Sequence, residues 1–191
     1  MEYFKKLNVS LENAEFFVVQ ELVQAPSIGE INRKGYVNGW NSAGVGASHE
    51  EHAAHVHALI KDLSRDAALF KKVYRYAFIT GREREQKSLS LENALAFWES
   101  LFSAPGMEWK TRSNDWIGLW KQFLSEKWTR SVNKDMWNMT LEFAVKSLQD
   151  ETLSFWSEDG AWPSVIDDFV AWCRQRGIGH ASESMEVDPV E

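Results

Sequence analysis

Apolar residues recur along this chain at intervals of three and four, the spacing that gathers side chains onto one face of a helix. Phe16, Val19, Leu22 and Val23 share such a face, with Ser10 expected as N-cap and Glu12 in the first turn. Pro26 and Gly29 interrupt that helix, and a shorter one is predicted over residues 32–40. Gly44 and Gly46 make 41–48 a connector, after which Ser48 and Glu51 have capping-box spacing. Val56, Leu59, Ile60 and Leu63 line the next helix. Phe70, Val73, Tyr74, Ala77 and Phe78 stripe another that should end near Gly81, before a charged, solvated turn at 82–87. With Ser88 or Ser90 as cap, Leu91, Ala94, Leu95, Trp98, Leu101 and Phe102 form a strongly amphipathic stretch closed by Pro105 and Gly106.

Three more stripes follow: Trp116, Ile117, Trp120, Phe123 and Leu124, then Trp137, Leu141, Ala144, Val145 and Leu148, then Val165, Ile166, Phe169, Val170 and Cys173. Pro163 suits the first turn of the last helix and Gly177 its end. No segment alternates with the period of a strand. The expected fold class is all-α, a helical bundle of about eight helices. On its N-terminal side, around Gly29 to Trp40, a degenerate EF-hand-like helix-loop-helix is expected, without the regularly spaced aspartates that calcium needs. Residues 1–178 read as the helical domain, with two lobes dividing near residue 85, and 179–191 as an acidic, disordered tail.

Composition narrows the function classes. At 44% hydrophobic residues, 191 positions can fill a core. No apolar run approaches the ~18 residues of a membrane span, and nothing near Met1 reads as a signal peptide. A net charge of −7 disfavours nucleic acid and favours a basic protein partner. The single cysteine cannot form an internal disulfide, which suits cytosol or nucleus. Ten tryptophans are read first as core filling.

Candidate chemistry is sparse. His49, His52, His55 and His57 include pairs at helical spacing, as zinc sites use. Their order is not the His-Glu-x-x-His of zinc proteases, however, and a polar, exposed first turn is the favoured reading. Cys173, the only possible thiol nucleophile, falls on an apolar stripe and reads as core. A zinc or thiol enzyme using these residues is therefore the weaker alternative, and no metal or cofactor is expected. The stretch from Asp159 to Trp172 offers a Gly-Ala-Trp-Pro entry to a helix and acids one turn in, where carboxylates suit the helix dipole.

That stretch carries a family resemblance when read with Lys134-Asp-Met-Trp-Asn138, with Ser88 to Trp98, and with Leu119-Trp-Lys-Gln-Phe-Leu124. In this order the motifs resemble the potentiating-neddylation domain of the defective-in-cullin-neddylation proteins, over about Leu11 to Arg176. The resemblance implies a non-catalytic scaffold that promotes NEDD8 transfer to a cullin. It would bind the cullin C-terminal winged-helix domain and the N-acetylated N-terminus of the NEDD8-conjugating E2, with the RING subunit of the cullin ligase as a further partner. By motif position, Asp135, Ala161 and Asp167 would bind the cullin, and Phe16, Val19, Ile31 and Phe97 would line the E2 pocket. A monomer in cytoplasm and nucleus is expected. Animal relatives have glutamine where this chain has Ile28, and the connection around Phe155 and Trp156 is slightly longer here. The ubiquitin-associated domain that often precedes this one is not expected.

Overall fold

The computed structural model describes residues 2–83 and 85–180. Among them it has nine helices: α1 (Glu2–Lys6), α2 (Ala14–Leu22), α3 (Arg33–Ala43), α4 (His49–Asp62), α5 (Ala67–Gly81), α6 (Leu91–Leu101), α7 (Trp116–Lys127), α8 (Lys134–Gln149) and α9 (Ser164–Arg174). The all-α expectation holds, with two amendments. The helix α1, at five residues, is too short to show a period. Two-residue strands β1 (Ser88–Leu89) and β2 (Val132–Asn133) pair antiparallel, Ser88 with Asn133 and Leu89 with Val132, which no alternation announced. The expected tail lies, from residue 181 onward, outside the described residues.

Helix entries are set by short polar side chains that accept otherwise unpaired backbone N–H groups. Ser48 and Glu51 form the expected capping box, and Ser90 rather than Ser88 caps α6. Ser10 does not cap α2. Asn13 does, accepting from the Glu15 N–H, while the Ser10 hydroxyl accepts from Glu12. The shift shortens α2 and buries it on nearly every side, Gln20 and Glu21 included.

The helix-loop-helix of α2 and α3 depends on two helical glycines. A Cβ at Gly39 would collide with the Leu22 carbonyl oxygen, and one at Gly35 with that of Val23. Their absence lets α3 approach the C-terminal end of α2 closely.

One apolar cluster runs from Phe4 to Cys173. Its centre is a stack in which Trp137 lies on Tyr74 (4.5 Å between centroids) and on Trp98 (5.1 Å). Seven of the ten tryptophans are buried, and Trp128, Trp156 and Trp162 are partly exposed. The central polar atoms are paired. The Tyr74 hydroxyl donates to the Trp137 carbonyl at 2.6 Å and accepts from Trp98 Nε1 at 2.8 Å, while Trp137 Nε1 donates to the Tyr74 carbonyl at 3.0 Å. This knot ties α5 to α6 and α8.

Candidate functional site

Asp135 stands in the first turn of α8, where Asn133 caps the helix by accepting the Met136 N–H. Asp167 occupies the same place on α9, whose N-cap is Pro163 without a side-chain bond. Both carboxylates face the positive end of a helix dipole. Asp135 is exposed and Asp167 half-buried, and neither forms an ion pair among the described residues. Ala161 is exposed in the turn that leads into α9. Beneath that turn, Trp162 meets Phe143 edge-on at 5.8 Å, so the segment is anchored while the alanine stays on the surface.

Asp167 has a neighbour the sequence did not indicate. Trp156 Nε1 donates to its Oδ1 at 2.9 Å, and the Arg174 guanidinium lies over the Trp156 ring, 4.8 Å from its centroid. The segment that delivers Trp156 is itself knotted. Asp150 accepts from the N–H and hydroxyl of both Thr152 and Ser154. The Ser154 hydroxyl, and after it that of Thr152, holds the Asp150 carboxyl down to about 2. Leu153 is fully buried with φ of +56°, and Phe155 packs inward on Phe143 at 5.5 Å. Phe155 and Trp156 are both half-buried, Phe155 against Phe143 and Trp156 beside α9.

The four residues read as an E2 pocket lie on or beside α2. Val19 is fully buried and Phe16 nearly so, its ring 5.1 Å from Phe4 of α1. Phe97, half-buried on α6, packs on Phe17 at 4.8 Å rather than on Phe16. Ile31 is half-buried in the loop before α3, and nearby Ile28 is 44% exposed. The Phe4–Phe16 and Phe17–Phe97 contacts make an apolar seam between α1, α2 and α6, with Val19 buried on α2 and Ile31 in the loop before α3.

The histidine cluster departs from its expectation of an exposed turn. His52 is buried, stacked on Trp40 with centroids 3.7 Å apart and planes parallel within 1°. Burial pushes the His52 imidazole below its ordinary value, so the ring is neutral near pH 7. The burial arises because α3 brings Trp40 against α4, a pairing that the spacing of α4 alone does not reveal. His49 and His57 are exposed and His55 is half-buried. Among the described residues no group of three His, Cys, Asp or Glu is placed to hold a metal ion. Cys173 is fully buried, and desolvation pushes its thiol up to about 12, leaving almost no thiolate for nucleophilic chemistry.

Comparison with known proteins places this geometry. Residues 51–172 match the profile of a family described as cullin binding, a span that takes in Phe97, Asp135, Ala161 and Asp167. The chain is 48% identical over 199 residues to "Defective in cullin neddylation protein 1" of Pyricularia oryzae, covering 98% of this chain and 70% of that protein. It is 32% identical over 197 residues to the protein of the same name in Mycosarcoma maydis, covering 88% of this chain and 61% of that one. It is 30% identical over 177 residues to human "DCN1-like protein 5", covering 92% and 70%. These relatives are all longer than the aligned span. On the profile match and these identities, the chain belongs to the cullin-binding family.

Proposed function

We propose that the chain is a non-catalytic scaffold for cullin neddylation. It holds the C-terminal winged-helix domain of a cullin and the N-acetylated N-terminus of the NEDD8-conjugating E2, so that NEDD8 passes more quickly from the E2 to the cullin. The observation that carries this reading is the state of two acids inside the family span. Asp135 and Asp167 each occupy the first turn of a helix, at the surface, without a cation partner among the described residues. Carboxylates left open in this way suit charge-assisted bonds to lysine or arginine of a partner, and exposed Ala161 permits close approach. The net charge of −7 favours the same kind of partner at long range.

In the apolar seam, Val19 and Phe16 supply the floor, and Ile31 and Phe97 the open edge. An acetylated methionine is uncharged, so it enters without the desolvation cost of a free ammonium. Ile28 offers no side-chain hydrogen bond to the acetyl group, which leaves apolar contact as the source of affinity. The chain contributes no group to isopeptide formation. It works as a monomer in cytoplasm and nucleus, with the RING subunit of the ligase as a neighbour.

A reconstituted neddylation reaction with and without the chain tests this reading. Acceleration is expected only when cullin and acetylated E2 are both present, and should fall at least about tenfold with an unacetylated E2. Asp167→Ala and Ala161→Arg should each weaken cullin binding at least about tenfold, because truncating one member of an interfacial charged pair typically costs about 2–5 kcal/mol. The melting temperature of Ala161→Arg should barely move, and Asp167→Ala should lose no more than its bond from Trp156, about 0.5–1.5 kcal/mol. Normal cullin binding by both variants, or loss explained by unfolding, refutes the surface.

A further inference from the structure

Two clusters that each bring a tryptophan, an arginine and an acid together border α9, and their difference is informative. In the first, Trp172 Nε1 donates to Glu126 Oε2 at 2.8 Å, Arg176 donates to the same oxygen at 3.2 Å, and Gln122 donates to Oε1 at 3.0 Å. The Arg176 guanidinium also covers the Trp172 ring at 3.7 Å. This acid is closed: both oxygens are occupied and its charge is matched, which clamps α7 to α9.

In the second, Trp156 Nε1 donates to Asp167 Oδ1, and Arg174 covers the Trp156 ring. Here the arginine does not pair with the acid. One carboxylate oxygen is held by an indole N–H, and the charge is left unmatched among the described residues. A purely structural cluster would be expected to close as the first one does. The second instead fixes the direction of a carboxylate while keeping it available.

We infer that Trp156 is a positioning residue for the partner-binding acid Asp167. It holds one oxygen so that the other is presented to a basic side chain of the cullin, and Arg174 pins the indole from its outer face. This inference rests on the proposed scaffold function. A carboxylate oriented in advance avoids the loss of side-chain freedom on binding. By the usual cost of immobilising one side chain, that should be worth about three- to tenfold in affinity. The supporting segment fits the role. Phe155 is half-buried against Phe143 and Asp150 ties the preceding turn, so Trp156 stands on an anchored base.

The test is a double-mutant cycle on the full chain, read as affinity for a cullin C-terminal domain. Trp156→Phe keeps an aromatic face for Arg174 and removes the N–H together with the pyrrole part of the ring. Expected results are a three- to tenfold loss for Trp156→Phe, a larger loss for Asp167→Ala, and no further loss when Trp156→Phe is added to Asp167→Ala. Thermal stability should be nearly unchanged in Trp156→Phe. If Asp167→Ala binds poorly but Trp156→Phe binds like wild type, or if the two losses simply add, the positioning role is overturned while the scaffold reading stands. If wild type and Asp167→Ala bind alike, both fall. A measurement without partner provides an independent arm: the indole N–H resonance of Trp156 should shift markedly in Asp167→Asn, and an unmoved resonance overturns the inference whatever the binding data show.

Discussion

Tyr74 joins three helices through a single hydroxyl. It donates to the Trp137 carbonyl and accepts from Trp98 Nε1, all three residues being fully buried. Burial also pushes the phenol well above its ordinary value, so it remains a donor at any pH the protein encounters. Tyr74→Phe preserves ring stacking on Trp137 but leaves the buried Trp98 indole N–H without a partner, while the Trp137 carbonyl keeps only its bond within α8. An orphaned buried donor costs on the order of 1–3 kcal/mol, so the variant should lose about that much. Urea unfolding should show this as a lower midpoint at unchanged slope, whereas a loss under about 1 kcal/mol would mean water replaces the hydroxyl. Individual residues were legible in the sequence where hydrophobicity decides their place, as with Cys173 on its apolar stripe. They were not legible where a polar partner decides it. Trp156 and Asp167 are eleven positions apart across a turn, and no local spacing rule connects them.

At the level of elements, periodicity located eight of the helices because each buries apolar residues against a common core, and the Ser48 and Ser90 caps were legible as well. The failures have local causes. Ser10 and Asn13 both suit an N-cap, and only the packing of α1 against Phe16 selects the second. The pair β1–β2 is too short for alternation, and it joins the segments that lead into α6 and α8 through buried Leu89 and Val132. The approach of α3 to α2 was likewise hidden, since a glycine inside a helix has several explanations. Gly39→Ala separates them. Alanine should stabilise an isolated helix by about 1 kcal/mol, but its Cβ would meet the Leu22 carbonyl oxygen, a backbone atom that cannot swing aside. Overpacking of this kind costs about 1–3 kcal/mol, so net destabilisation is expected. A higher melting temperature in Gly39→Ala would show that α3 can move away freely.

For the whole molecule, a scaffold must hold its two partners at a fixed separation, and that requires the two ends of the chain to behave as one body. The seam beside α2 depends on the N-terminal helices, and the open acids on α8 and α9. Between them run the Tyr74–Trp137 knot and the Lys71–Glu142 ion pair at 2.9 Å, both joining the segments before and after residue 85. The exposed ion pair contributes little, so the aromatic knot and the continuous apolar cluster carry the coupling. If they do, removing core from either end must weaken the other. Phe4→Ala, near the seam proposed to take the E2 terminus, and Phe169→Ala, on α9 and 5.0 Å from Trp120, should each lower one common unfolding transition. For Phe169→Ala the expected cost is about 3–5 kcal/mol. Helical signal and tryptophan fluorescence should change together in both variants, although nine of the ten tryptophans lie beyond residue 85 and report mainly on the second half. Fluorescence that holds in Phe4→Ala while helical signal is lost would mean that the halves unfold separately. The spacing between the two sites would then be set by a hinge near residue 85 instead of by the core.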